Sequence, residues 1–276
     1  MTPARGEEKA TLNRTSLAAS LAAVSHAEWI KMRTVRSTVW ALLLTPLVSV
    51  GLGWLVARGL RSGFENGTAE WRGSFDPVHW GFYSLTLGQL AIVVFGVLLV
   101  GGEYGSGTIR ASLAVVPRRG ALYWAKVLAG TSAAFACALV TAFVTFFVAQ
   151  AAFGPYGVSL GAGGALRATV GACLYLTLMC AFAIGVAAML RSSAAALGIL
   201  MPLLFLGSQG LGNVPKVKVV LQYLPDQAGF VITQVIPPDD PRFARDYGPW
   251  GGLAVLVAWV VVALIGGYLV LRRRDA

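Results

Sequence analysis

Residues 82–101 read FYSLTLGQLAIVVFGVLLVG, a run of twenty residues without a charged side chain. A helix rises about 1.5 Å per residue, so a run of this length crosses the roughly 30 Å hydrocarbon core of a bilayer. Five further runs are similarly long and apolar and also contain no Asp or Glu: 38–57, 127–153, 168–190, 194–211 and 250–271. The sequence therefore predicts an all-α integral membrane protein with six transmembrane helices.

The composition agrees with a membrane protein. Of 276 residues, 57% are hydrophobic and 12% are charged, roughly half the charged fraction of a soluble domain. The longest polar stretches, 1–37 and 212–249, each have fewer than about 40 residues, too few for an independent soluble core. We therefore divide the chain into a tail, 1–37, and a six-helix domain, 38–276, and expect any aqueous chemistry to come from a partner protein.

The net charge of +10 is distributed unevenly between the two sides of the membrane. If the N-terminus is cytoplasmic, 14 of the 22 Lys and Arg residues lie in cytoplasmic segments, as the positive-inside rule requires. This pattern predicts a multi-pass protein of a cell membrane with both termini in the cytoplasm. It indicates the lipid bilayer, and not nucleic acid, as the partner of the basic residues.

The residues before the first span have helical periodicity. At 100° per residue, the apolar positions fall within an arc of roughly 80°; they are Leu17, Leu21, Val24, Met32 and Val35. This predicts an amphipathic helix lying in the membrane interface. Glu28 falls inside the apolar arc, and we expect it to face protein because burial against lipid would be costly.

The loop that joins the second and third predicted spans is the most informative polar segment. It begins GGEYGSGTIR at residues 101–110, and Gly102 and Gly107 imitate the glycine spacing of a phosphate-binding loop. Thr108 stands where that loop requires Lys, and a span precedes it instead of a buried strand. We therefore expect no ATP site in this chain, and we predict a short cytoplasmic helix at 107–115, with Glu103 at its entrance.

The loop between the fifth and sixth predicted spans is rich in proline and encloses an apolar patch at 228–236. The patch is too short to span a membrane. Two interpretations stay open: a re-entrant segment or a helix lying on the surface.

Several polar side chains interrupt the apolar spans. They are candidates for a substrate path, although hydrogen bonding between helices explains such residues at least as often. The candidates are Thr45, Ser49, Thr86, Gln89, Ser208 and Gln209. Since no charged residue lies within the predicted spans, such a path suits an amphipathic or lipophilic molecule.

The chain resembles the type-2 permease subunits of ATP-binding-cassette (ABC) exporters, in the style of high-GC Gram-positive bacteria. The resemblance rests on Glu28-Trp-x-Lys31, the Glu-Tyr-x-x-Gly-Thr-x-Arg loop at 103–110, the Pro-x-Arg that follows and the basic C-terminal tail. It implies that the N-terminal helix and the helix of the second loop, the coupling helix, contact an ATPase. The residues so implicated are Glu28, Lys31, Glu103, Thr108, Arg110 and Arg118.

The resemblance also implies a bacterial cytoplasmic membrane, a second permease subunit, either another copy of this chain or a close paralogue, and two ATPase subunits. ATP and Mg²⁺ would then be bound by the partner, and this chain would need no cofactor or metal of its own. It would be a transporter subunit and not an enzyme.

Two other classes of membrane protein are disfavoured. An ion-coupled secondary transporter, which we keep as the alternative, needs ionisable groups or broken helices at mid-membrane; the predicted spans contain no acid and no His, and only Pro46 and Pro202 could break a helix there. An intramembrane hydrolase needs a metal site or a serine with a base, but His26 and His79 lie outside the spans. Cys137, Cys173 and Cys180 lie inside them and indicate packing, not disulfides.

Overall fold

The computed structural model describes residues 27, 29–66, 75–109, 119–208, 214, 217–238 and 243–273, and the regular elements in these ranges are helices. The α-helices are α1 (Arg36–Glu65), α2 (Pro77–Phe82), α3 (Leu85–Ser106), α4 (Arg119–Phe153), α5 (Ala165–Leu190), α6 (Ser193–Ser208), α7 (Lys218–Leu221), α8 (Pro225–Phe230) and α9 (Pro249–Arg273). Two 3-10 helices lie at Gly154–Tyr156 and Val231–Thr233. The predicted all-α membrane fold is confirmed.

Five helices are long and apolar enough to cross a membrane: α1, α3, α4, α5 and α9. The predicted fifth span, 194–211, corresponds to α6, which has 16 residues and is short for a complete crossing. Residues 209–213, which would extend it, lie outside the described part of the chain. The count of six spans therefore stays a prediction.

The helices extend beyond the apolar runs that predicted them. The first runs on to Glu65, eight residues past its predicted end, and the third begins at Arg119, eight residues before its predicted start. Hydropathy finds the apolar part of a helix, whereas backbone hydrogen bonding continues into the polar flanks. The predicted second span, 82–101, is also corrected: Phe82 ends the separate helix α2, and α3 continues to Ser106.

Helices α3 and α5 form the centre of the bundle, and each contacts several other helices. Small residues permit this packing: a Cβ atom on Gly96 of α3 would lie 2.8 Å from the backbone oxygen of Cys180 in α5. Close approach at glycine is the usual way in which membrane helices gain contact. By contrast, α1 presents Trp40, Leu47 and Trp54 on an exposed face, as expected of a helix that contacts lipid.

The apolar patch of the proline-rich loop is helical and buried within the fold. It corresponds to α8 and the 3-10 helix Val231–Thr233, and these elements pack against α5 and α9. Ala228 and Ile232 have no exposed surface. The segment is therefore inserted among the bundle helices and does not lie freely on a surface.

The described part of the tail supports only the end of the predicted amphipathic helix. Residues 29–34 are helical, the helix is interrupted at Val35, and α1 begins at Arg36, two residues before the predicted start of the first span. Met32 is buried in the hydrophobic core. Residues 1–26 and Glu28 lie outside the described part of the chain.

Candidate functional site

Glu103 lies in the last turn of α3, where the helix leaves its apolar run. Its side chain is only 3% exposed. The helix ends three residues later because Gly107 adopts a left-handed conformation with φ of 71°, which glycine accommodates without strain. The acid is thus held at the point where the predicted coupling loop begins.

Two lysines bind the Glu103 carboxylate through the same oxygen. Lys126 Nζ, from the second turn of α4, lies 2.7 Å from Oε1 and is itself 4% exposed. Lys31 Nζ, from the helical segment 29–34, also donates to Oε1, and its side chain is 40% exposed. A buried carboxylate needs such charged partners or several hydrogen-bond donors to offset the loss of water. The three charges therefore connect the N-terminal segment, α3 and α4.

The end of α3 is also fixed to the short turn between α5 and α6. Arg191 in this turn places its guanidinium carbon 5.1 Å from the centre of the Tyr104 ring, within the range of a cation–π contact. Nearby, a Cβ atom on Gly101 would lie 2.8 Å from the Cα atom of Ser193, the first residue of α6. The backbones of α3 and α6 therefore touch at this point.

Together these contacts define the Glu103 junction, which consists of Lys31, Gly101–Tyr104, Lys126 and Arg191–Ser193. The end of α3 contacts the N-terminal segment, α4 and the α5–α6 turn there. Glu103 Oε2 is buried and has no hydrogen-bond partner among the described residues. It can accept one further donor when the neighbouring segments move.

The structure brings together two of the predicted site residues, Lys31 and Glu103. Thr108 contacts a different residue: its hydroxyl is 2.9 Å from that of Ser106, and Thr108 and Ile109 are helical. The rest of the predicted helix 107–115, with Arg110, lies outside the described residues, and so do Arg118 and Glu28.

Lys126 was not among the predicted site residues, although it pairs with Glu103, because the predicted third span begins one residue later. A basic residue at the edge of one span and an acid at the edge of the preceding span are a signal for such a pair. Only the packing of α3 on α4 shows that the two side chains meet.

The candidates for a substrate path in α1 and α3 are buried and hydrogen-bonded within the chain. Ser49 donates to the Thr45 carbonyl at 2.7 Å and Thr45 donates to that of Ala41 at 3.1 Å. Gln89 accepts a hydrogen bond from the Tyr175 hydroxyl of α5, and Thr86 donates to the Tyr83 carbonyl at 2.7 Å. Only the Tyr175–Gln89 bond joins two helices, and the other three are local bonds to a carbonyl three or four residues earlier. A substrate path along them stays a prediction.

The other two path candidates cannot be placed, because Gln209 and the side chain of Ser208 lie outside the described part of the chain. A metal site is a separate question. Within the described ranges, no group of three or more His, Cys, Asp or Glu side chains could hold a metal ion.

Comparison with known families gives a match over most of the chain. The family model described as an ABC-2 family transporter protein matches residues 7–276, which is nearly the entire chain. None of the curated proteins matches the sequence.

Proposed function

Because this chain belongs to the ABC-2 family of transporters and is a membrane permease of that type, we propose that it is the permease subunit of an ATP-driven exporter. A separate ATPase would supply the energy, and the Glu103 junction would receive it. The single observation that carries this proposal is the burial of Glu103 between Lys31 and Lys126 at the start of the coupling loop.

The junction suits the transmission of a movement. A charged group that is buried and paired on both sides has a strong preference for one geometry, because loss of either lysine weakens the pairing of a charge in a low-dielectric site. An ATPase that pushes the segment after Gly107 would therefore move α3, α4 and the N-terminal segment as one unit. Such a unit allows two discrete arrangements of the bundle, as alternating access requires.

The proposal includes an arrangement in the membrane. The Glu103 end of the bundle faces the cytoplasm, and both termini lie on that side of a bacterial cytoplasmic membrane, as the distribution of basic residues favours. Two copies of the permease work with two ATPase subunits, which bind ATP and Mg²⁺. Lys31, Thr108 and the neighbouring predicted residues Glu28, Arg110 and Arg118 form the contact surface for the ATPase.

The substrate class follows from the polarity of the spans. The polar groups of α1 and α3 are already hydrogen-bonded, and Glu103 and Lys126 neutralise each other near one end of the bundle. We therefore expect an amphipathic or lipophilic molecule, such as a lipid, a peptide or a small apolar compound. Competition for export by a strongly hydrophilic compound would contradict this assignment.

The proposal is tested by reconstituting the purified chain into vesicles, with and without the ATPase that co-purifies with it from its native membrane. We expect ATP hydrolysis and uptake of a lipophilic probe into inside-out vesicles only when both proteins are present. Hydrolysis by the single chain would contradict the division of labour. Uptake that follows an ion gradient without ATP would favour the ion-coupled alternative.

A further inference from the structure

At the opposite end of the bundle from Glu103, the carboxylate of Asp76 accepts four backbone hydrogen bonds. Oδ1 accepts from the amides of Val78 and His79, each at 3.0 Å. Oδ2 accepts from the amides of Val235 and Ile236 at 2.6 and 2.9 Å. The side chain is buried at 5% exposure. One carboxylate thus joins the loop before α2 to the loop before α9.

The two carboxylate oxygens of Asp76 bind different parts of the chain. Oδ1 caps the first turn of α2, and Pro77 follows at the first helical position, which is the usual sequence of a helix start. A cap needs only one oxygen, whereas Oδ2 reaches residues 159 and 160 positions further along the chain. Hydrogen bonds to an ionised carboxylate are stronger than neutral ones, so the second pair is a substantial tie between distant segments.

The segment that Asp76 holds is residues 225–236, which we call the strap. It contains α8 and the 3-10 helix, of six and three residues, too short to be stable alone. Side-chain hydrogen bonds fix it: Arg167 of α5 donates to the Gln234 carbonyl at 2.6 Å, and His79 Nδ1 lies 2.9 Å from the Thr233 hydroxyl. Polar ties of this kind can break and reform without unfolding the helices around them.

We propose that Asp76 is the residue that positions the strap over this end of the bundle and keeps it closed until nucleotide acts at the other end. The inference rests on the proposed function, since an exporter must open the end opposite to its ATPase to release cargo. Opening requires the strap to separate from α2, and the two bonds to Oδ2 are the charge-assisted ones among the contacts that bridge them, which include that of His79 with Thr233.

The test measures access to a cysteine placed in the strap. Val231 is 5% exposed and similar in size to cysteine, so Val231→Cys is introduced, and the parent chain with its three native cysteines sets the background. The complex with the co-purifying ATPase is placed in nanodiscs, where both ends are accessible, and its labelling by a water-soluble maleimide is timed. Each preparation is measured without nucleotide and with ATP plus vanadate.

With Asp76 intact, we expect slow labelling without nucleotide and faster labelling with ATP plus vanadate. Asp76→Asn keeps the size of the side chain but presents an amide with only one acceptor oxygen. It should raise the rate without nucleotide about tenfold or more, because the charge-assisted bonds that oppose local opening are lost. It should also remove most of the dependence on nucleotide, a change that a merely structural role would not produce.

A second variant tests the same bonds from the other partner, in case Asp76→Asn misfolds. Val235→Pro removes one amide that donates to Oδ2 and leaves the α2 cap intact, and Gln234 has ψ of 127°, which is compatible with a following proline. We expect the same direction of change. Glu65→Gln is the matched control, because it neutralises an exposed acid at the end of α1 that pairs with Arg61 four residues away, and it should leave labelling unchanged.

The outcomes separate the two proposals. Unchanged labelling in folded Asp76→Asn and Val235→Pro, while nucleotide still opens the intact protein, overturns the role of Asp76 and leaves the proposed function standing. Faster labelling in both variants, with no effect of nucleotide on the intact protein, supports the role of Asp76 as the tie and contradicts the exporter proposal.

Discussion

Lys126 Nζ lies 2.7 Å from Glu103 Oε1, and both side chains are more than nine-tenths buried. Either Glu103→Gln or Lys126→Met should therefore destabilise the protein by about 3 kcal/mol, because each removes a short ion-pair contact from a buried group that keeps its charge. The double variant should cost clearly less than the sum of the two, since it removes both charges. Thermal unfolding in detergent, followed by circular dichroism, measures this; strictly additive losses would show that the pair is not coupled.

Lys31 should behave differently from Lys126 although it binds the same oxygen. Its side chain is 40% exposed, so water can replace the interaction, and an exposed ion pair contributes only about 0–1 kcal/mol. Lys31→Ala should therefore lower the midpoint of thermal unfolding much less than Lys126→Ala. An equal loss in both variants would mean that the N-terminal segment is required for stability and is not a separate connection.

The contact between α3 and α6 gives a prediction with a neighbouring control. Gly101→Ala places a methyl group 2.8 Å from the Ser193 backbone, a contact that must force the helices apart, and overpacking typically costs about 1–3 kcal/mol. Gly102→Ala meets no atom within 4 Å and should stabilise the helix slightly. Comparing the two unfolding midpoints tests the packing. If Gly101→Ala unfolded at the same temperature as the parent, the α5–α6 turn would have to lie further from α3 than described.

Asp226 in the strap should make stability depend on pH. Burial raises the pKa of its carboxyl to about 6 from an ordinary value of 3.8, although hydrogen bonds from Gln227 and the charge of Arg245 oppose the shift. The folded state thus binds the proton more tightly, and the free energy of unfolding falls as pH rises from about 4 to about 6. Asp226→Asn should therefore unfold at a higher temperature than the parent at pH 7.5, and this advantage should shrink at pH 5.

The comparison with the parent chain is necessary because His79 titrates in the opposite sense. Burial lowers the pKa of His79 to about 4, so stability is lost as pH falls from about 6.5 towards 4. This effect is common to both proteins and cancels in the difference between them. A difference in unfolding temperature that is the same at pH 5 and 7.5 would contradict the assignment to Asp226.

The helices could be predicted from the sequence because each long apolar run has one stable solution in a bilayer, a helix with all backbone groups paired. The ends of the helices could not be predicted, since residues such as Glu65 and Arg119 are polar and carry no hydropathy signal. Glu103 was identifiable as an acid beside a span. Its pairing with Lys126 was not, because the two residues are 23 positions apart and meet only through the packing of α3 on α4.

The role of Asp76 was not predictable at all. Its distant partners are backbone amides, which every residue except proline possesses, so nothing in the side chains of Val235 or Ile236 marks them. Residues 225–236 were recognisable as an apolar patch between prolines. Their insertion among the bundle helices depends on contacts with α5 and α9 that lie far away in the sequence.

The most direct test of the account is the ATP hydrolysis rate of the co-purifying ATPase, measured alone and bound to the reconstituted permease. The intact permease should change that rate, whereas Glu103→Gln should still bind the ATPase but lose most of the change, because the junction no longer holds α3, α4 and the N-terminal segment together. Glu65→Gln serves as the control and should behave like the intact chain. A folded, ATPase-bound Glu103→Gln permease that alters hydrolysis as fully as the intact protein would contradict the central claim.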